Sequence, residues 1–240
     1  MFCLSAIWGI QQVMIKAVSA EMAPILQMAI RSGIAAALVF LLVLVKKGKL
    51  VSSSTLGPGL LAGLLFALEF LSIGEGLKYT SAAHMVVFIY TAPIFVAVAL
   101  HWRFPSERLN RVQWSGVLLA FSGVVIAFMS EDTGTQSNML LGDALGLLGA
   151  ILWAVTTILI RSTTLSQAPA TQTLFYQLFI SFILLLLGAF ITGQTGFIPS
   201  AFVFGNLLFQ GVVVSFASLL TWFWLLRQYP ASQLGIFAFM

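Results

Sequence analysis

Charge is what this sequence has least of: 8% of its 240 residues are Asp, Glu, Lys or Arg, against roughly a quarter in an ordinary soluble domain. With 60% hydrophobic residues and a mean hydropathy of +1.05, no soluble fold could hide the apolar surface. Cysteine is nearly missing as well. Cys3 alone excludes an intrachain disulfide and a cysteine metal site, and leaves redox chemistry without support. The two histidines, His84 and His101, stand apart without clustered carboxylates, which gives no metal site. Long polar breaks are also lacking. The longest runs from Ser130 to Asn138, so catalysis or nucleic-acid binding in a separate globular module is excluded. Gly-x-Ser-x-Gly, His-Glu-x-x-His and Walker motifs are absent too. The excess of positive charge, +4, lies in short loops, where it serves membrane topology and not a nucleic-acid partner.

What is present is a succession of apolar stretches of about 20 residues, each long enough at 1.5 Å per residue to cross a hydrocarbon core of roughly 30 Å. The pattern predicts helices near 2–19, 24–45, 57–78, 81–101, 112–129, 141–161, 170–192 and 201–226, with a ninth from 229 onward. The fold class is therefore an all-α membrane protein whose immediate surroundings are the lipid bilayer. Met1–Ser19 has no basic leader before its apolar run and carries Trp8, Gln11 and Gln12 within it. It reads as a first membrane helix, not a cleavable signal. The ninth stretch reaches Met240 after roughly a dozen residues, too few to span, and the chain reads as one cut off inside that helix. Lys46, Lys47 and Lys49 fall in the second loop, Arg103, Arg108 and Arg111 in the fourth, and Arg161 and Arg227 in the sixth and eighth. Even-numbered loops then face the cytoplasm, and so does the N-terminus. Lys16 and Lys78 dissent, at helix ends where long stems can snorkel.

Laid on itself at a shift of 145 residues, the sequence puts Trp8 on Trp153, Lys16 on Arg161, Ala23-Pro24 on Ala168-Pro169 and Gln27 on Gln172. After a four-residue insertion, Leu77-Lys78 meets Leu226-Arg227, Ala82 meets Ala231 and Phe88 meets Phe237. The expected units are 1–130, with five helices, and 141–240, incomplete. An odd number of helices per unit makes the second copy enter the membrane from the opposite side. This is an inverted repeat of five-helix units, with about nine helices present of an expected ten. Two such halves can open a central site alternately to each side of a membrane.

Several motifs follow in order along the first copy, some of them matched in the second as above: Trp8-Gly9 followed by Lys16, Arg31 opening the second helix, Leu77-Lys78-Tyr79-Thr80-Ser81-Ala82, Ala92-Pro93, and Glu107-Arg108-Leu109. In these the sequence resembles the EamA-type branch of the drug/metabolite transporter superfamily over essentially its whole length. The resemblance implies ten helices with both termini cytoplasmic, a central substrate cavity between two repeats, and a bacterial inner-membrane location. It also implies export or exchange of small organic metabolites, such as amino acids, without covalent chemistry or cofactors. A homo-oligomer is left open.

Arg31 and Glu69 are charges within apolar helices, each costing at least about 2.5–3.5 kcal/mol at a helix centre unless paired or wet. At depths of about 10 and 13 Å they are expected to meet, gripping a zwitterionic solute, exchanging partners as a cavity opens, or forming a static pair. Trp8 and Trp153 are deeper than an interfacial belt requires. With Gln11, Gln12, Tyr90, Thr156, Tyr176 and Trp222 they are candidates to line an amphipathic chamber, packing or lipid contact being the plainer role for any one of them. Glu75 is read as structural. His84, whose titration range suits proton sensing, and Pro93, a helix-breaking residue near mid-membrane, join Glu69 as candidates for coupling or gating. Glycines at 142, 146 and 149, and at 116 and 123, are expected to let helices approach closely. An intramembrane enzyme and a non-transporting subunit or receptor are the competing readings.

Overall fold

The computed structural model describes residues 2–103, 108–129, 138–231 and 234. The elements in order are α1 (Phe2–Ala17), α2 (Pro24–Val45), α3 (Ser53–Gly76), α4 (Ala82–Ile89), α5 (Ala92–Arg103), α6 (Arg111–Met129), α7 (Met139–Ser162), a single 3₁₀ turn (Thr164–Ser166), α8 (Ala170–Ile191), α9 (Ala201–Leu208) and α10 (Leu219–Gln228). Among the described residues there is no β-strand, only an isolated bridge between Met22 and Phe197 that ties two loops. The expected ninth helix falls largely outside the described residues. At its start Leu234 donates to the Pro230 carbonyl at 3.2 Å.

Among the described residues six helices are long and apolar enough to cross a membrane: Pro24–Val45, Ser53–Gly76, Ala82–Arg103, Met139–Ser162, Ala170–Ile191 and Ala201–Gln228. Their outward faces carry large apolar side chains such as Leu41, Leu64, Leu140, Leu187 and Phe190. The interior holds polar ones, with Gln27, Arg31, Gln172, Gln177, Asn206 and Gln210 all buried. A water-soluble protein distributes these residues the other way round. An apolar rind over a polar interior is stable only where the solvent is hydrocarbon, and the chain is a multi-pass membrane protein.

Local sequence explains where the helices start and stop. Pro24 occupies the first turn of α2, where its missing N–H would have been unsatisfied anyway. Ser81 caps α4 by accepting from the His84 backbone N–H at 3.1 Å. The expected helix over 81–101 is broken at Tyr90 and Thr91 into α4 and α5. The cause is Pro93, which removes one ladder donor and whose ring crowds the carbonyl four residues earlier.

The expected plain helix over 201–226 holds a second departure. The backbone runs unbroken from Ala201 to Gln228, but Phe209–Ser218 between α9 and α10 adopts π-helical geometry. Hydropathy patterning carries no signal for such wider turns, which are frequent at functional sites.

Lipid tails are as apolar as leucine, so burying Ile25 or Met28 between helices gains little by itself, and association depends on close contact and interhelical hydrogen bonds. Both are present. A Cβ added at Gly59 would lie 2.4 Å from the Tyr176 ring, and one at Gly63 2.6 Å from Ile180, so α3 lies directly on α8. Gly142 meets Thr80 and the Gly76 carbonyl, while Gly146 meets Met85 and Phe88, which seats α7 on α3 and α4. The glycines of α6 do not follow this expectation among the described residues, where a Cβ at Gly116 or Gly123 meets nothing within 4 Å.

A buried polar ladder joins α1 and α2 to α9 and the π segment. Asn206 donates to Gln27 Oε1 at 3.3 Å, Gln210 donates to the Gln11 carbonyl at 3.2 Å, and Arg31 donates to Gln210 Oε1 at 3.0 Å. Lys16, at the end of α1, is partly buried. Its ammonium turns inward and donates to the carbonyls of Leu77 and Thr80, closing the C-terminal end of α3, where a cation is favoured.

Candidate functional site

Three helices bring their i, i+3, i+4 faces to one point near the middle of the bundle. From α1 come Trp8, Gln11 and Gln12; from α3, Phe66, Glu69, Phe70 and Ile73; from the α4–α5 break, Val86, Ile89, Tyr90 and Pro93. Trp153 of α7 and Leu219 and Trp222 of α10 complete the wall. The cavity offers about 70 Å³ to the centres of water-sized molecules, room for a few waters.

The wall is chiefly aromatic. Trp8 meets Trp153 and Trp222 edge to face with centroids 5.6 Å apart in each case, and Trp153 lies 6.4 Å from Trp222. The Trp8 indole N–H is spent on Ser218 Oγ at 3.0 Å, which fixes that ring. Two acceptors in the wall are not spent: Glu69 Oε2 and Gln12 Oε1 are buried without a hydrogen-bond partner among the described residues.

Of the candidates read from sequence, Trp8, Gln11, Gln12, Glu69, Tyr90, Pro93, Trp153 and Trp222 converge on this cavity. Arg31, Tyr176, Thr156 and His84 stand outside the lining. Tyr176 reaches the start of α3, where its hydroxyl accepts from the Ser52 N–H at 3.2 Å and lies 3.1 Å from Thr55 Oγ1. Thr156 donates to its own helix, at Leu152 O. The expected Arg31–Glu69 ion pair is not formed. The Arg31 guanidinium turns to Gln210 and lies over the Phe70 ring, 4.2 Å from its centroid, although the two charges remain within each other's field. The depth of each residue followed from its position in the helix. The choice of partner depended on the π segment, which presents Gln210 to Arg31.

His84 has a partner that the sequence reading passed over. Asp143 Oδ2 lies 3.4 Å from His84 Nδ1, and Asp143 Oδ1 accepts from the Thr80 hydroxyl at 2.7 Å. A carboxylate inside the glycine-lined face of α7 was the available signal, since an acidic residue in an apolar helix demands a partner. The tie fastens α7 to the turn before α4. Asp143→Ala should lower stability by about 1–3 kcal/mol by leaving the Thr80 hydroxyl unpaired, read as an earlier thermal transition in detergent micelles. An unchanged transition would show that the tie contributes nothing. Glu75 pairs with Lys78 at 2.9 Å and accepts from Gln194. Phe66, Phe70 and Ile73 also went unremarked, although their spacing from Glu69 puts all four on one helix face.

An all-helical body with an apolar exterior, helices long enough to span a bilayer and a central aromatic cavity holding a carboxylate defines an integral membrane protein built around an internal binding space. The model of the EamA-like transporter family matches residues 1–129 and 140–240, and the chain belongs to that family. The relatives agree. It is 25% identical over 236 residues to Uncharacterized transporter YoaV of Bacillus subtilis (strain 168), covering 96% of this chain and 79% of that one. To Uncharacterized transporter YvbV of the same organism it is 27% identical, covering 99% and 77%. It is 26% identical to Solute carrier family 35 member F5 of Macaca fascicularis, over 74% of this chain and 43% of that protein. A crystal structure with 17% sequence identity superposes with a TM-score of 0.77, covering all of this chain and 84% of the other, which establishes the likeness of fold. The protein is a transporter, not an enzyme.

Proposed function

We propose that the protein is a secondary transporter that exports or exchanges small organic metabolites by alternating access between two inverted repeats, residues 1–130 and 141–240. It would do so in a bacterial inner membrane with its N-terminus in the cytoplasm. The observation that carries the reading is the cavity at the seam of the two units, with Glu69 from the first and Trp153 and Trp222 from the second facing one space.

Contacts that recur at the repeat spacing support the inverted arrangement. Lys16 donates to the Leu77 carbonyl, and its counterpart Arg161 donates to the Leu226 carbonyl at 2.9 Å. Trp8 packs on its own counterpart, Trp153. In this reading the Pro93 break supplies a hinge beside the cavity, and the His84–Asp143 tie holds one end of the path closed.

The test is solute flux into proteoliposomes, with and without a pH gradient, using a panel of amino acids and other small metabolites. Saturable flux is expected. Glu69→Gln should lower it by about tenfold or more, the scale set by removing a buried charged contact. A dependence on the pH gradient would mark proton coupling, and its absence a uniporter. Folded protein that moves no solute would overturn the reading in favour of a subunit or receptor.

A further inference from the structure

We propose that the solute this cavity accepts is an organic amine in its cationic form, its ammonium group seated between Glu69 and Gln12 and enclosed by the indoles of Trp8, Trp153 and Trp222. The inference rests on the transport reading above and narrows it to a substrate class.

The unsatisfied atoms of the wall are acceptors. Glu69 Oε2 and Gln12 Oε1 are buried with no donor, in residues 6% exposed, and a buried acceptor left unpaired calls for a ligand that donates. A primary ammonium carries three N–H donors and a charge opposite to that of the carboxylate. The surrounding indoles stand at steep angles to one another, 77° to 87° for the pairs made by Trp8, so π faces and edges bound the space from several sides. Such a cage attracts a cation by the ring quadrupoles. Ile73, Val86 and Ile89 offer apolar contact to the rest of the molecule.

The same wall disfavours an anionic group. Among the described residues no Lys, Arg or His lines the cavity. The nearest cation, Arg31, is engaged by Gln210 and lies against Phe70. The carboxylate of an amino acid would enter an apolar space without a partner, at high cost. The cavity therefore selects an amine over the zwitterion that shares its carbon skeleton, contrary to the amino-acid expectation.

The matched probes are 3-methylbutylamine, 3-methyl-1-butanol and leucine, which share a branched apolar body and differ in charge. Binding to the full chain in detergent micelles is measured by calorimetry, and uptake of each probe is measured in proteoliposomes. The amine should bind saturably and at least about tenfold more tightly than the alcohol or leucine, the difference one good charged contact makes. Glu69→Gln should remove that preference, the amine then binding no more tightly than the alcohol. Gln12→Leu, which keeps the charge, should weaken the amine several-fold and serves if the first variant does not fold. Equal binding of amine and alcohol, tighter binding of leucine, or no saturable amine binding would overturn the proposal. Leucine uptake without amine uptake would sink this inference and leave the transporter reading standing. Amine binding without flux of any solute would do the reverse.

Discussion

Gly142→Val is expected to prevent the bundle from assembling. An added Cβ would lie 2.7 Å from Thr80 Cβ, 2.8 Å from the Thr80 backbone nitrogen and 2.9 Å from the Gly76 carbonyl oxygen. Two of those three neighbours are main chain and have no rotamer to retreat into, so α7 would have to move off α3. That movement would also part Asp143 from Thr80, a contact of 2.7 Å. Overpacking that side chains can absorb costs about 1–3 kcal/mol, and this substitution should exceed that range. The measurement is the yield of monodisperse protein in detergent and its thermal transition. Gly116→Ala is the control, since its Cβ would meet nothing within 4 Å among the described residues and alanine gains about 0.5–1 kcal/mol over glycine within a helix. A Gly142→Val protein that melts with the parent would refute the close α3–α7 crossing.

Arg31→Met is expected to be the most destabilising single change in the polar interior. The guanidinium is 2% exposed, donates to Gln210 at 3.0 Å and lies over the Phe70 ring, with the Glu69 carboxylate one helix away. Methionine would fill much of the volume but leave Gln210 Oε1 without its donor and Glu69 without a compensating charge. Breaking such an arrangement from one side costs about 3–5 kcal/mol. Adding Glu69→Gln to the same background should restore part of the loss, with an interaction energy of about 1 kcal/mol or more, read by denaturant titration in micelles. Strict additivity would show that the two charges are stabilised separately, Arg31 by the Gln210 ladder and Glu69 by the cavity.

The two expectations differ in origin. The close approach at Gly142 was legible as a glycine at positions 142, 146 and 149 along one helix. The same reasoning applied to Gly116 and Gly123 failed, because small residues permit contact without specifying that a partner will be there. Trp8 and Trp153 were legible together, because the shift of 145 residues lays one on the other. They meet with centroids 5.6 Å apart. Tyr176 was grouped with them on residue type alone, and it lies at the start of α3, bonded to Ser52. Asp143 and Gln210 were passed over because each is a lone polar letter in an apolar run. Their significance depends on the residues opposite, Thr80 and His84 for one and Arg31 for the other.

The sequence by itself determined that this chain lives in a bilayer, where its described helices begin and end to within a few residues, and that one of them carries a helix-breaking residue at Pro93. Those properties follow from composition, helix rise and the covalent geometry of proline, which act over a turn or two of chain. The tertiary structure alone decided that Arg31 pairs with Gln210 and not with Glu69, that the segment Phe209–Ser218 widens into π geometry, and that Glu69 is left with a free acceptor facing three indoles. Those outcomes rest on which helix faces meet across the bundle. Partners there are separated by up to about two hundred residues, as Gln11 and Gln210 are, and no local pattern encodes the choice.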